Sequence, residues 1–240
     1  AFTITQRCVA CNTMGNHDSS RVYSNIGDGK NHELQARLNL LLLLTIKGTP
    51  FLYNGEEIGM SDYLILDRST FKDPLCELYY DLEKRVMGST EEIALKVGAS
   101  RGRDRCRTPL QWSNTENAGF SPKDVKTWLP VNPDYQNGVN VEDQNRFDGS
   151  LLNYYRKLIK IRHETTALQF GEYLEILTDN TSVLVFTRST ENNKVLAVLN
   201  LNDSEENVEV DSDLLSELTC IFNTSTIAKV DHNRVIHLLP

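Results

Sequence analysis

The sequence predicts an α/β fold joined to a small antiparallel β domain. Three observations carry that reading: the chain opens in the order strand, helix, strand; a long polar stretch fills residues 61–148; and the texture after Ala167 changes to short β-like runs. Taken in order, Cys8 to Met14 is short, moderately apolar and ends at Gly15, which suits a buried strand opening into a loop at Asn16. From His32 to Ile46 leucines recur at helical spacing, at Leu34, Leu38, Leu41 and Leu42, and Gly48 supplies a stop. Thr49 to Asn54 is an apolar, aromatic run closed by Gly55, so the three elements form a βαβ unit with a parallel pair.

Residues 61–148 break this rhythm. They are rich in Asp, Arg, Asn and Pro and contain one short helical candidate, around Leu78 to Met87. A segment of that length in a compact domain is a lid or a binding segment rather than a simple connection. Ser150 to His163 then places Leu151, Leu152, Tyr155, Leu158 and Ile159 at helical spacing, with Ser150 as its N-cap. The β-like runs that follow are Tyr173 to Leu177, Ser182 to Thr187, Val195 to Leu201, Val208 to Val210 and Arg234 to Leu239, separated by Asp, Asn, Ser and Thr clusters.

Bulk properties narrow the function. The 240 residues are 40% apolar, enough for an ordinary core. A net charge of −8 and scattered Lys and Arg leave no basic stripe for a phosphate backbone, which argues against a nucleic-acid partner. The longest apolar run, Leu38 to Ile46, is interrupted by Asn39 and Thr45 and reaches about half of the ~20 residues a membrane span requires, so it reads as a buried helix. The chain starts at Ala1 without an initiator Met or a signal-peptide pattern, the expectation being a fragment, a mature product or an incomplete gene model. Sequons at Asn180, Asn202 and Asn223 favour a secreted or extracellular protein. Of five cysteines, Cys8 and Cys11 form a CxxC with no second pair to complete a zinc site, and the odd count leaves at least one thiol unpaired or paired outside the chain.

Two strand ends carry the candidate chemistry. Gly15-Asn16-His17-Asp18 places an imidazole and a carboxylate past the first strand, and Asn54-Gly55-Glu56-Glu57 places two carboxylates past the second. Parallel neighbours aim both at one cleft, as suits general acid–base work or oxocarbenium stabilisation. The plainer alternative is that Asp18 and Glu56 cap the helices that follow.

Several motifs in order over nearly the whole chain resemble the α-amylase superfamily of glycoside hydrolases, and within it the insect-type maltases. Gly15-Asn16-His17-Asp18 with Arg21 resembles the region at the family's seventh barrel strand, and Gly48 to Met60 (GTPFLYNGEEIGM) resembles that at the eighth. Arg103 to Trp112 (RDRCRTPLQW), followed by Asn117 to Phe120 and Thr127 to Pro130, resembles the maltases' long insertion. The resemblance implies that residues 1–168 are the C-terminal part of a TIM (β/α)8 barrel with an insertion at about 61–148, and that residues 169–240 form a small antiparallel β-sandwich domain. It implies an α-glucosidase (maltase) that releases terminal α-linked glucose from maltose, sucrose or short oligosaccharides with retention. Asp18 takes the role of transition-state stabiliser, His17 donates to a hydroxyl of the same glucosyl ring, and Arg107 borders the adjoining subsite, with Arg103 and Arg105 competing for that place. The plainer alternatives are a structural His17 and an Arg107 engaged in a surface ion pair.

The family's nucleophile Asp and acid/base Glu belong to its fourth and fifth strands, upstream of the Asn-His-Asp region, and Ala1 to Asn12 do not resemble the usual lead-in. The expectation is therefore a C-terminal fragment, inactive alone, with two barrel strands whose open edges favour aggregation. Glu56 is not promoted to nucleophile. No organic cofactor is implied, and a calcium ion seen in some relatives has no oxygen-ligand loop pattern here. The alternative is a catalytically silent glucosidase-like protein, such as a transporter heavy-chain ectodomain or a surface receptor; the intact Asn16-His17-Asp18 favours the enzyme.

Overall fold

The structure, a computed structural model, describes residues 9–25, 32–211, 219–223, 229–230 and 235–238. In chain order these form β1 (Cys11–Thr13), the single turn α1 (Val22–Asn25), α2 (His32–Thr45), β2 (Thr49–Phe51), α3 (Pro74–Leu82), α4 (Glu91–Arg101), α5 (Val141–Asn145), α6 (Leu151–Glu164) and α7 (Thr166–Phe170). The strands β3 (Glu172–Glu175), β4 (Val183–Ser189), β5 (Lys194–Asn200), β6 (Glu206–Glu209), β7 (Lys229–Val230) and β8 (Val235–Leu238) follow. None of the described helices is long and apolar enough to cross a membrane. Two compact units result, one of Ala1–Asn12, Arg37–Pro50 and Lys157–Pro240, the other of Thr13–Ala36 and Phe51–Arg156.

In the first unit β1 and β2 are hydrogen-bonded neighbours, and the Thr49 amide donates to the Ala10 carbonyl at 2.8 Å. Gly48, at φ 142°, lets α2 turn into β2 so close to this pair that an added Cβ would lie 2.3 Å from Asn12 Nδ2. The expected strand from Cys8 is thus shorter, and Cys8 itself lies outside the described residues. Among the described cysteines, Cys11, Cys76, Cys106 and Cys220 are free thiols.

The later strands pair antiparallel as expected, in two three-stranded sheets ordered β3-β4-β5 and β6-β8-β7; β7 is an addition to the five expected runs. β4 sits centrally, matching Val185 to Val198 and Phe186 to Ala197 of β5. Its apolar run is buried on both faces, because alternate side chains serve different cores. Val183 and Val185 cluster with Val208, Val210 and Ile236, whereas Phe186 joins Ala197 and Leu199 under Leu38, Leu41 and Leu42 of α2. The most deeply buried leucines of α2 are Leu40, Leu43 and Leu44, while Leu34, expected on the apolar face, is exposed. A run of five leucines offers apolar surface nearly all round, so periodicity alone misplaces the buried face.

Helix α2 has no basic residue in its last turn, yet its terminal carbonyls are satisfied by two guanidinium groups from elsewhere in the unit. Arg162 donates to the Leu44 and Gly48 carbonyls, and buried Arg188 to Thr45 (2.8 Å) and Gly171 (2.9 and 3.2 Å). Burial, then the nearby Arg162 charge, pushes Arg188 down to about 10, which leaves it charged at neutral pH.

In the second unit, residues 61–148 hold more helix than expected. The candidate at Leu78 to Met87 is α3 running into a π-helical turn at Glu83–Met87, stopped by Gly88 at φ 68°. α4 was not expected, because its sequence carries no amphipathic stripe; its signals are the Thr90 N-cap and the acids of its first turn. Gly98 permits the close approach of α4 to α3, since a Cβ there would meet the Cys76 carbonyl at 2.7 Å. Ser150 caps α6 as expected, accepting from the Asn153 amide at 3.2 Å. Leu152 of α6 packs with Ile58 and Met60, while Ile159 is exposed rather than on the buried face.

Replacing Arg188 by Met strands two buried carbonyls. Urea unfolding is expected to show a loss of about 3 kcal/mol with an unchanged m value; a loss under about 0.5 kcal/mol would remove Arg188 from its role as the helix cap.

Candidate active site

The site grows from the end of β1, within the second unit. Thr13 Oγ1 donates to the Gly15 carbonyl at 2.7 Å, and Asn16 Oδ1 accepts from the Asp18 amide at 2.8 Å, an Asx turn that sets the direction of His17 and Asp18. Both project outward, with side chains 68% and 52% exposed and His17 Nε2 3.4 Å from Asp18 Oδ2. Asp18 caps no helix, since α1 begins four residues later at Val22.

Two arginines of the Arg103–Arg107 segment converge on one oxygen of this carboxylate. Arg103 Nη1 donates to Asp18 Oδ1 at 3.0 Å, and Arg107 Nη2 donates to the same atom at 2.7 Å. Arg107 Nε also donates to the His17 carbonyl at 2.7 Å. Arg107 thus stands beside Asp18, and Arg103 shares the place. Arg105 does not: it pairs with Asp62 at 3.1 Å, whose other oxygen accepts the Arg21 amide at 2.8 Å. Partial burial would raise the Asp18 pKa, but the Arg103 hydrogen bond, the His17 and Arg103 charges and the Arg107 hydrogen bond together hold it below the ordinary carboxylate range. Asp18 is therefore an anion throughout the neutral range.

Behind Asp18 lies a buried carboxylate that composition and spacing did not single out. Asp73 caps α3 through Leu75, and it accepts from Arg103 N at 2.7 Å, Nε at 2.8 Å and Nη2 at 2.9 Å. Those bonds, the guanidinium first, hold Asp73 well below the usual range against the opposing effect of burial. The one sequence signal for it is an Asp-Pro dipeptide at a helix start.

Glu56 corrects an expectation. It is 6% exposed and faces the backbone of Gly15, where an added Cβ would lie 2.2 Å from its Oε1. It shares no open cleft with Asp18; the chain after Gly55 curls into a 3-10 turn at Glu56–Ile58 that draws the carboxyl inward, where Tyr53 N donates to Oε2 at 3.2 Å. Arg21, 1% exposed, lies near it with its guanidinium 5.0 Å from the Tyr53 ring centroid and Nη1 donating to the Asn54 carbonyl at 2.9 Å. Glu56 Oε1 and Arg21 Nε and Nη2 have no hydrogen-bond partner among the described residues.

Burial pushes the Glu56 carboxyl up to about 7; the Tyr53 amide opposes, Glu57 adds, and Arg21 opposes. Below pH 4.5, the ordinary value, both folded and unfolded forms hold the proton and no penalty exists. Between there and about 7 the unfolded form ionises first, so stability falls as pH rises and the penalty persists above. Glu56→Gln is expected to flatten that fall, by about 3 kcal/mol between pH 4.5 and 8. Denaturant midpoints of the two proteins read across that window check it, and parallel curves would exclude Glu56 as the source.

Comparison with known proteins places this geometry. The family described as alpha amylase, catalytic domain, matches residues 2–171, which takes in all but the first residue of the Ala1 to Asn12 stretch that the motifs alone leave outside the resemblance. The chain is 35% identical over 213 residues to an oligo-1,6-glucosidase of Halalkalibacterium halodurans, covering 87% of the chain and 37% of the relative. It is 33% identical over 188 residues to the trehalose-6-phosphate hydrolase of Escherichia coli, covering 78% and 33%. The solved isomaltulose synthase of Protaminobacter rubrum superposes with a TM-score of 0.79 at 33% identity over 96% of the chain and 41% of that structure. The chain spans about a third of the length of the curated relatives it matches. With the catalytic-domain family matched over residues 2–171, the chain belongs to the α-amylase family of glycoside hydrolases.

Proposed function

We propose that the protein is a retaining α-glucosidase of the insect maltase type, which removes terminal α-linked glucose from maltose, sucrose or short oligosaccharides. The observation that carries the reading is Asp18 itself: a half-exposed carboxylate, kept ionised, with Oδ1 held by two guanidinium groups and Oδ2 met among the described residues only by His17. A fixed anion of this kind binds sugar hydroxyls in the ground state and gains strength as positive charge develops on the ring. His17 donates to a hydroxyl of the same glucosyl unit, and Arg107, at 2.7 Å from Asp18, borders the adjoining subsite. The relatives' names, oligo-1,6-glucosidase and trehalose-6-phosphate hydrolase, support hydrolysis of a glucoside. The reading assigns the nucleophile and the acid/base to none of the 240 residues.

The same proposal takes residues 1–168 as the C-terminal part of a TIM barrel with the insertion at about 61–148, and residues 169–240 as a C-terminal β-sandwich domain. It takes the protein as a secreted glycoprotein that needs no organic cofactor. Of the sequons, Asn202 is exposed, with its side-chain nitrogen donating to Glu206 (2.8 Å), and the Asn180 side-chain nitrogen donates to Glu206 (2.8 Å) and the Asn207 carbonyl (3.0 Å). Among the described residues no group of three or more His, Cys, Asp and Glu side chains is arranged to hold a metal.

Expressed within its native coding sequence, the protein is expected to release glucose from an aryl α-glucoside as the α anomer, followed by proton NMR of the fresh product. Asp18→Asn is expected to lower kcat/KM about 10²–10³-fold with an unchanged circular dichroism spectrum. Fresh β-glucose would contradict retention; turnover unaffected by Asp18→Asn would contradict the assignment of Asp18; and absence of any glucosidase activity would favour the silent relative.

A further inference from the structure

We propose that Asp73 is a positioning residue for Asp18, acting through Arg103, so that a buried carboxylate in the insertion sets the placement of the exposed carboxylate at the end of β1. The inference rests on the reading of Asp18 as the sugar-binding anion, and it adds to that reading a residue that never meets the sugar.

The Asp73 side chain is completely buried, and both of its oxygens are engaged. Oδ2 accepts Arg103 N and Nε, and Oδ1 accepts Arg103 Nη2 and the Leu75 amide. A guanidinium gripped at Nε and Nη2 by one carboxylate is fixed in plane and direction, because the paired bonds remove rotation about the long side chain. The remaining terminal nitrogen, Nη1, then points where the fork dictates, and it is this atom that donates to Asp18 Oδ1 at 3.0 Å. Asp73 is itself held: Asp104 accepts its backbone amide at 3.0 Å and the Lys72 amide at 2.7 Å. The chain of fixed groups therefore runs from a doubly anchored turn through one rigid cation to the carboxylate. Arg107 approaches Oδ1 at 2.7 Å and grips the His17 carbonyl, so the two cations converge on one oxygen and leave Oδ2 facing His17.

The alternative is that the Asp73–Arg103 pair ties the insertion together and has no bearing on Asp18. The two differ in the sign of an effect. Removing the negative charge of Asp73 by itself favours ionisation of Asp18 and lowers its titration midpoint. Loss of the fork instead frees the Arg103 guanidinium, a third exposed, to move away, and raises the midpoint.

The test is carbon-13 NMR titration of the Asp18 carboxyl in the chain as it stands, for wild type, Asp73→Asn, Arg103→Lys and Asp62→Asn. The expected result is an upward shift of the Asp18 midpoint in Asp73→Asn and none in Asp62→Asn, which releases Arg105 but touches nothing at Asp18. Arg103→Lys keeps the cation and loses the fork, and it is expected to shift the midpoint in the same direction. Asp73→Glu, which keeps the negative charge and displaces the fork, decides the matter if Asp73→Asn does not fold: an upward shift of the Asp18 midpoint is expected, and an unchanged midpoint overturns the proposal. A midpoint that stays or falls in a folded variant, or that rises equally in Asp62→Asn, overturns the proposal. These titrations contain no sugar, so they still decide the positioning if Asp18→Asn leaves glucoside turnover intact and the functional reading fails.

Discussion

Buried backbone N–H and C=O groups must find partners, and a long segment without strands cannot find them in a ladder. Residues 61–148 meet this constraint with side-chain carboxylates and amides. Asp104 accepts the amides of Lys72 and Asp73, Asp73 those of Leu75 and Arg103, and Asp62 that of Arg21. The amide side chains bridge in both directions: Gln144 donates to the Ile58 carbonyl at 2.8 Å and accepts from the Leu152 amide at 3.1 Å, and Asn140 donates to Tyr135 and accepts from Asp143. Each such bond adds about 1 kcal/mol net, but an orphaned amide would cost about 1–3 kcal/mol, so the arrangement is held mainly by what its loss would expose. The abundance of Asp, Asn and Gln in this segment is thus structural as well as solvent-facing.

The same requirement sorts the three arginines near the site. The turn at Asp104–Cys106 needs its Asp turned inward to receive amides, and the guanidinium groups on either side leave in different directions. Arg105 goes to Asp62 and ties the start of the 61–148 segment to the loop that carries Arg21, while Arg103 and Arg107 reach Asp18. Tyr53 adds a further tie, its hydroxyl donating to the Cys106 carbonyl at 3.1 Å. The Asn-His-Asp loop is consequently held by residues 61–148, and by β1 only at its start.

How much of this was legible in the sequence depended on range. Local features read correctly: the Ser150 cap, the leucine helix ending before Gly48, and the antiparallel runs of β4 and β5 all follow from neighbours within a few residues. The Asn16-His17-Asp18 group and Arg107 were legible as a resemblance, and the structure brings them together. Features set by long-range contact were not. Arg188 caps a helix that ends 143 residues earlier, and Asp73 meets Arg103 30 residues on. α4 lacks a stripe because it packs through small residues, Ala94, Gly98 and Ala99, which periodicity in large apolar residues cannot register. The pairing of Asp18 with Glu56 failed because strand ends fix where a backbone points but not which way a following 3-10 turn rotates its side chain.

Charge also divides the structural arginines from those at the site. Arg21, Arg162 and Arg188 donate to carbonyls; burial weakens their hold on the proton and no carboxylate restores it fully. Arg103 is the reverse case, its proton held more tightly because Asp73 and then Asp18 supply anionic partners. A carbonyl-bound guanidinium satisfies backbone and carries its charge unneutralised, so its place is at a helix end or a buried turn. A guanidinium between two carboxylates can transmit position from one to the other, because the carboxylate that grips it at two nitrogens fixes the direction in which the third points. That difference explains why the half-buried Arg103 stands at the point where the interior of residues 61–148 meets the exposed His17 and Asp18.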